Sequence, residues 1–318
     1  MSTDRITQNL TRRTGNSSRE LLARLFFFTC ALLSIMTTVG IILLLVNESL
    51  RFFSETAGLL GVSGETASIL DFFTHTTWRP SNGEFGVLAP LTGTLMVTIG
   101  SAIIALPLGV ATALYLSEYA SSRTRSVLKP ALEILAGVPT IVYGFFALIY
   151  ITPFLDIFID MQFFNMMSAS IVVGIMIIPM VASISEDAMS AVPDELRQAG
   201  YGMGATKFDV SVGIVIPAAI SGIFSSFILA LSRAIGETMA VTIAAGSVAF
   251  LRNPLNPMEY TNANMPMTAA IVNNLTGDFA GGGLAYRSAF ALGLTLFVIT
   301  LVMNVISDLI AEHYREEY

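Results

Sequence analysis

Six apolar stretches, each about as long as a bilayer is thick, leave few folds open to this chain. A helix rises 1.5 Å per residue, so about 20 apolar residues cross a hydrocarbon core of roughly 30 Å. The stretches cover residues 25–46, 92–116, 131–154, 168–184, 218–245 and 289–310. The fourth is the shortest and rests on the run IVVGIMIIPMVASI. The 318 residues are 54% apolar and only 12% charged, more apolar material than one water-soluble core uses, and the charges gather between the runs. The expected fold is an all-α integral membrane protein with six transmembrane helices.

Most catalytic chemistry lacks its parts. Cys30 is the only cysteine; it lies in the first apolar run and reads as a small buried hydrophobe, so no disulfide within the chain is possible. His75 and His313 are the only histidines, far apart and in polar surroundings, which excludes an HExxH zinc site or a serine–histidine triad. Gly-Lys occurs nowhere, so a Walker A loop is absent, and any ATP that drives this protein is hydrolysed by another chain. No cofactor, metal or nucleic-acid partner is expected.

Basic residues set the expected orientation, because loops retained in the cytoplasm carry the excess of Lys and Arg. With the N-terminus inside, the inner side holds Arg5, Arg12, Arg13, Arg19, Arg24, Arg123, Arg125, Lys129, Arg197, Lys207 and Arg315, against Arg51, Arg79, Arg252 and Arg287 outside. The expected organisation is a mobile cytoplasmic tail at 1–24, a first span at 25–46, and an outer loop at 47–91. A helical core follows at 92–312, with a cytoplasmic loop at 190–213, then a short inner tail at 313–318. In the outer loop, FFSETAGLL and SILDFFTHTTWRP suit a helix lying at the membrane surface, with Trp78 in the aromatic belt. Pro107, Gly137, Pro139, Gly144 and Pro179 interrupt spans and are candidate breaks.

Two constellations carry function. The first is the loop AVPDELRQAGYGMGATKFDVSVGIVIP, Ala191 to Pro217. Pro193 suits a first helical turn, Asp194 and Glu195 favour a positive helix start, and Gly202 and Gly204 end the helix. Thr206 with Asp209 reads as a capping box opening a second helix.

The second is LSRAIGETMAV, Leu231 to Val241. Arg233 lies about 18 Å inside an apolar segment, and Glu237 follows one turn later on the same face. Either charge at the bilayer centre costs about 2.5–3.5 kcal/mol on insertion scales, so each needs a partner or a wet cavity. Arg before Glu at i, i+4 is the weaker order for a helical pair and leaves guanidinium donors idle. Arg233 is therefore the choice for an anion contact, since its planar fork matches phosphate oxygens. Glu237 is read as an acceptor for P–OH donors that sulfate lacks.

The loop resembles the permeases of binding-protein-dependent ABC importers, whose motif is EAA, three residues, Gly, nine residues, then Ile, any residue, Leu-Pro. Gly204, Ile214 and Pro217 fall on motif positions, Ile216 stands for the leucine, and the opening triplet is Gln198, Ala199, Gly200. The resemblance implies that this loop, with Glu195 in its helix, is the coupling helix that enters a groove of the ATPase subunit. LAGVPTIVYGFFAL, RAIGETMAV and PMTAAI are similar to the C-type permeases of bacterial phosphate ABC importers, from about residue 65 onward. That family implies a five-helix core of the type I importer kind plus one N-terminal helix. It also implies a second, A-type permease, an ATPase dimer, a periplasmic or lipid-anchored phosphate-binding protein, surrounding membrane lipid, and residence in the bacterial inner membrane. It further implies that Arg233 and Glu237 take part in phosphate translocation. The residues alone leave open a sister oxyanion importer, and a secondary anion transporter with Glu237 as proton carrier.

Overall fold

The computed structural model describes residues 17–56, 68–277 and 283–313. The expected tail over residues 1–16, the last five residues and part of the outer loop lie outside the described residues.

The first helix, α1 (Ser17–Thr56), begins eight residues before the expected span, so residues 17–24 are helical. Its stretch up to Asn47 belongs to a unit of its own, and the apolar residues from Leu21 onward are mostly exposed. Cys30 is exposed there, not buried as the sequence suggested.

From Glu48 onward the chain forms a second unit. Short helix α2 (Ile69–Thr74) opens with a capping box between Ser68 and Asp71, and a two-residue hairpin follows, β1 (Trp78–Arg79) paired with β2 (Glu84–Phe85). Gly83 turns the hairpin with φ of 77°, a conformation in which Cβ is a burden. This corrects the belt reading of Trp78. Its ring is buried, edge-on to Phe85, in an aromatic cluster with Phe52 and Phe72.

Two long helices make the core. α3 (Leu88–Tyr119) ends in a π-turn over Tyr115–Tyr119, and α6 (Met166–Ser190) packs along it in the most extensive helix pair among the described residues. Small residues bring them together: a Cβ on Gly109 would sit 2.6 Å from Val181 Cβ, and one on Gly174 would sit 3.3 Å from Ile104 Cβ. The fourth apolar stretch looked short because α6 continues into polar residues at its end. Of those residues Ser185 and Glu186 are buried, Glu186 in an ion pair with Lys129, while Asp187 and Ser190 are exposed.

The third and fifth expected spans are not straight. α4 (Ser122–Ala136) and α5 (Thr140–Asp156) meet at 87° across Gly137–Pro139; α8 (Lys207–Ala218) and α9 (Ile220–Gly236) meet at 69°. Pro139 lacks the N–H that would continue the first helix, and Pro217 lies beside the second bend. α7 (Asp194–Gly202) lies between α6 and α8. α10 (Met239–Ala244), α11 (Met267–Thr276) and α12 (Leu284–His313) complete the chain. α1, α3, α6 and α12 are each long and apolar enough to cross a membrane, and each bent pair adds one crossing if it forms a single span, giving six.

Candidate translocation site and inter-helix loop

α9 stops at Gly236, and the i, i+4 relation expected between Arg233 and Glu237 is absent. Glu237 adopts extended backbone, φ −63° and ψ 129°, before α10 begins. Its carboxylate turns to the new helix: Oε1 accepts from the N–H of Ala240 at 3.1 Å, satisfying a donor that the helix start leaves free. Its carbonyl accepts from the Thr268 hydroxyl at 2.7 Å. Glu237 is 7% exposed.

Arg233 occupies the last turn of α9, where a cation complements the partial negative charge of the helix end. It is exposed, and among the described residues no carboxylate lies within 4.0 Å of it. The neighbouring Ser232 hydroxyl donates to Asn304 on α12 at 2.8 Å. Tyr143 lies within electrostatic reach of Arg233, and its hydroxyl donates to the Leu135 carbonyl at 2.8 Å, across the bend between α4 and α5. Gly144 lets α5 approach α10; a Cβ there would sit 2.9 Å from Ile243 Cβ and 3.1 Å from the Ala240 carbonyl. The three sequence strings singled out above therefore converge on the helix break: one supplies Gly144, one Glu237 and one Thr268.

The 190–213 loop follows its sequence expectations closely in local geometry. Pro193 precedes α7 with Asp194 and Glu195 in the first turn, and Gly204 takes φ of 86°. Thr206 and Asp209 form the capping box, with Asp209 N–H donating to Thr206 Oγ1 at 3.3 Å and Thr206 N–H to Asp209 Oδ2 at 3.1 Å. Glu195, Gln198, Ala199 and Pro217 are exposed. Gly200 is buried, and a Cβ there would meet Ile214 Cδ1 at 2.7 Å and Val210 Cγ2 at 2.9 Å. The glycine where the motif has alanine thus admits Ile214 against the helix. Tyr201, Met203 and Phe208 add exposed apolar surface, Met203 at 82%.

Arg125, Lys129 and Arg197, which in the sequence stand only as orientation signals, hold buried carboxylates. Glu186, 0% exposed, pairs with Arg125 and with Lys129 Nζ at 2.7 Å, and Lys129 also reaches Asp187 at 3.0 Å. Arg197 pairs with Glu118 at 3.1 Å. The available signal was a glutamate just beyond the second and the fourth apolar runs, Glu118 and Glu186, which burial forces to find a partner. Among the described residues no group of His, Cys, Asp and Glu could hold a metal ion.

Bundled apolar helices, two bent pairs among them, and a further helix end at Gly236 beside an arginine with no carboxylate partner among the described residues, fit the architecture of a multi-pass transport permease. Residues 105–316 match the family of the binding-protein-dependent transport system inner membrane component, and the chain belongs to it: the membrane permease subunits of ABC importers, which are not themselves enzymes. It is 32% identical to the "Phosphate transport system permease protein PstC" of Mesorhizobium japonicum, covering 92% of each chain. It is 31% identical to the "Probable ABC transporter permease protein YqgH" of Bacillus subtilis, covering 92% of this chain and 91% of that one. Its fold is similar to a chain of a bacterial alginate ABC transporter, with a TM-score of 0.60, 14% identity, and 91% and 94% of the two chains covered. A MetNI methionine ABC transporter chain gives 0.53 at 16% identity, covering 70% and 94%. These likenesses define a type I importer permease fold.

Proposed function

We propose that this chain is the C-type permease of a phosphate ABC importer of the bacterial inner membrane, and that Arg233 contacts the anion on its path. The observation that carries the reading is the exposed guanidinium of Arg233 beside a helix break, with its donors unspent on any described carboxylate. An arginine inside an apolar segment persists where it faces a wet cavity or a polar partner, and the guanidinium fork fits phosphate oxygens. Relatives named as phosphate permeases support the choice of anion.

Glu237 carries two roles in this account. It caps α10, and its carboxylate accepts the P–OH donor of phosphate while repelling sulfate. Both termini are cytoplasmic on the arginine count, which puts residues 190–213 on the side of the ATPase. Glu195, Gln198, Ala199, Gly204 and Pro217 contribute to the docking loop, and Gly200 and Ile214 shape it from within. An A-type permease, two ATPase copies and an external phosphate-binding protein complete the importer.

The test is competition. In cells lacking other importers, the chain with its neighbouring subunits takes up labelled phosphate against excess sulfate. Glu237→Gln relaxes the discrimination more than it lowers phosphate affinity. Unchanged selectivity in that variant removes the specificity role from Glu237.

A further inference from the structure

All three nitrogens of the Arg197 guanidinium are engaged. Nε and Nη2 donate to Glu118 Oε1 at 3.3 and 3.1 Å, Nη2 also to the Met189 carbonyl at 2.8 Å, and Nη1 to the Val192 carbonyl and to Asp194 Oδ1 at 3.2 Å. The side chains of Arg197 and Glu118 are 14% and 5% exposed. One residue of α7 is thereby fastened to the π-turn that ends α3 and to the last turn of α6, the two helices that form the core. Around this knot, Met189, Val192, Val210 and Ile223 form a separate apolar cluster, with Leu196 of α7 packed against it. Nothing else on α7 joins the end of α3 by an ion pair among the described residues.

We propose that Arg197 is the strut that transmits displacement of α7 to α3 and α6 together. It is a positioning residue, and the proposal rests on the reading of residues 190–213 as the ATPase docking loop. A planar fork with several donors holds one acceptor carboxylate and two carbonyls in fixed relation; the single nitrogen of lysine does not. The carboxylate sits in a π-turn, a geometry that occurs as single turns within α-helices and frequently at functional sites. Movement of α7 that preserved the fork would carry the ends of both core helices with it, and movement that broke it would leave them behind.

The experiment uses the whole importer in proteoliposomes with its binding protein, and reads anion transported per ATP hydrolysed. Arg197→Lys and Glu118→Gln each retain assembly with the ATPase and continue to hydrolyse ATP, while transport per ATP falls about fivefold or more, the range of a typical inter-site coupling. The double variant is no worse than either single one, because both break the same link. Crosslinking of Gln198→Cys to the ATPase tests the docking reading separately, and its absence refutes that reading. Crosslinking together with an unchanged transport-to-hydrolysis ratio in both strut variants overturns the strut alone. A loss of transport and hydrolysis in equal proportion in both variants overturns it as well, since that pattern is structural damage and not uncoupling.

Discussion

The Thr268 hydroxyl donates to the main-chain carbonyl of Glu237 at 2.7 Å, joining α11 to the point where α9 breaks. A break in an apolar helix frees carbonyls that lipid cannot satisfy, so a side chain from a neighbouring helix must. Thr268, itself buried, supplies that group. The carbonyl at the break is therefore satisfied by a partner in sequence-distant PMTAAI.

Thr268→Val keeps shape and removes the donor. A buried carbonyl left without a partner costs about 1–3 kcal/mol. Thermal unfolding of the purified importer is expected to show that loss, and phosphate uptake is expected to fall in maximal rate. Thr268→Ser restores both.

Gly200→Ala pits two effects against each other. Alanine gains up to about 1 kcal/mol of helix propensity, while its Cβ crowds Ile214 Cδ1 and Val210 Cγ2 at an overpacking cost of about 1–3 kcal/mol. Net destabilisation is expected. Ile214→Val deletes Cδ1, so the pair Gly200→Ala with Ile214→Val returns toward wild-type stability in the same melt, a dependence that additive variants would not show.

Glu186 and Asp187 are neighbours with opposite expectations. Glu186 is fully buried and holds Arg125 and Lys129, so Glu186→Ala costs about 1–3 kcal/mol. Asp187 is 66% exposed in its one pair, and Asp187→Ala stays within about 1 kcal/mol. Urea titration of both variants in detergent separates them.

Much of this was legible from residue order. The apolar runs fall on the four helices long enough to cross a membrane and on the two bent pairs, and the Pro193 start, the Gly204 turn and the Thr206–Asp209 box appear where local chemistry put them. Breaks were harder to read. Gly137 and Pro139 were named as interruptions, but an 87° bend is set by how α4 and α5 pack, which no run of letters states. Glu237 was placed on a continuous helix; Thr268 and Ala240, which satisfy the broken backbone, are contacts of the folded chain. Trp78 fitted the belt by composition, yet the hairpin from Pro80 to Gly83 turned it against Phe85. Long-range ion pairs such as Arg197 with Glu118 have no spacing to betray them.

The most direct measurement is uptake of radiolabelled phosphate by cells without their own importers, supplied with this chain and its neighbouring subunits, comparing wild type with Arg233→Gln at equal membrane assembly. Saturable uptake in the wild type, lost in the variant, is the predicted result. Undiminished uptake in Arg233→Gln, or wild-type transport of another oxyanion in place of phosphate, would contradict it.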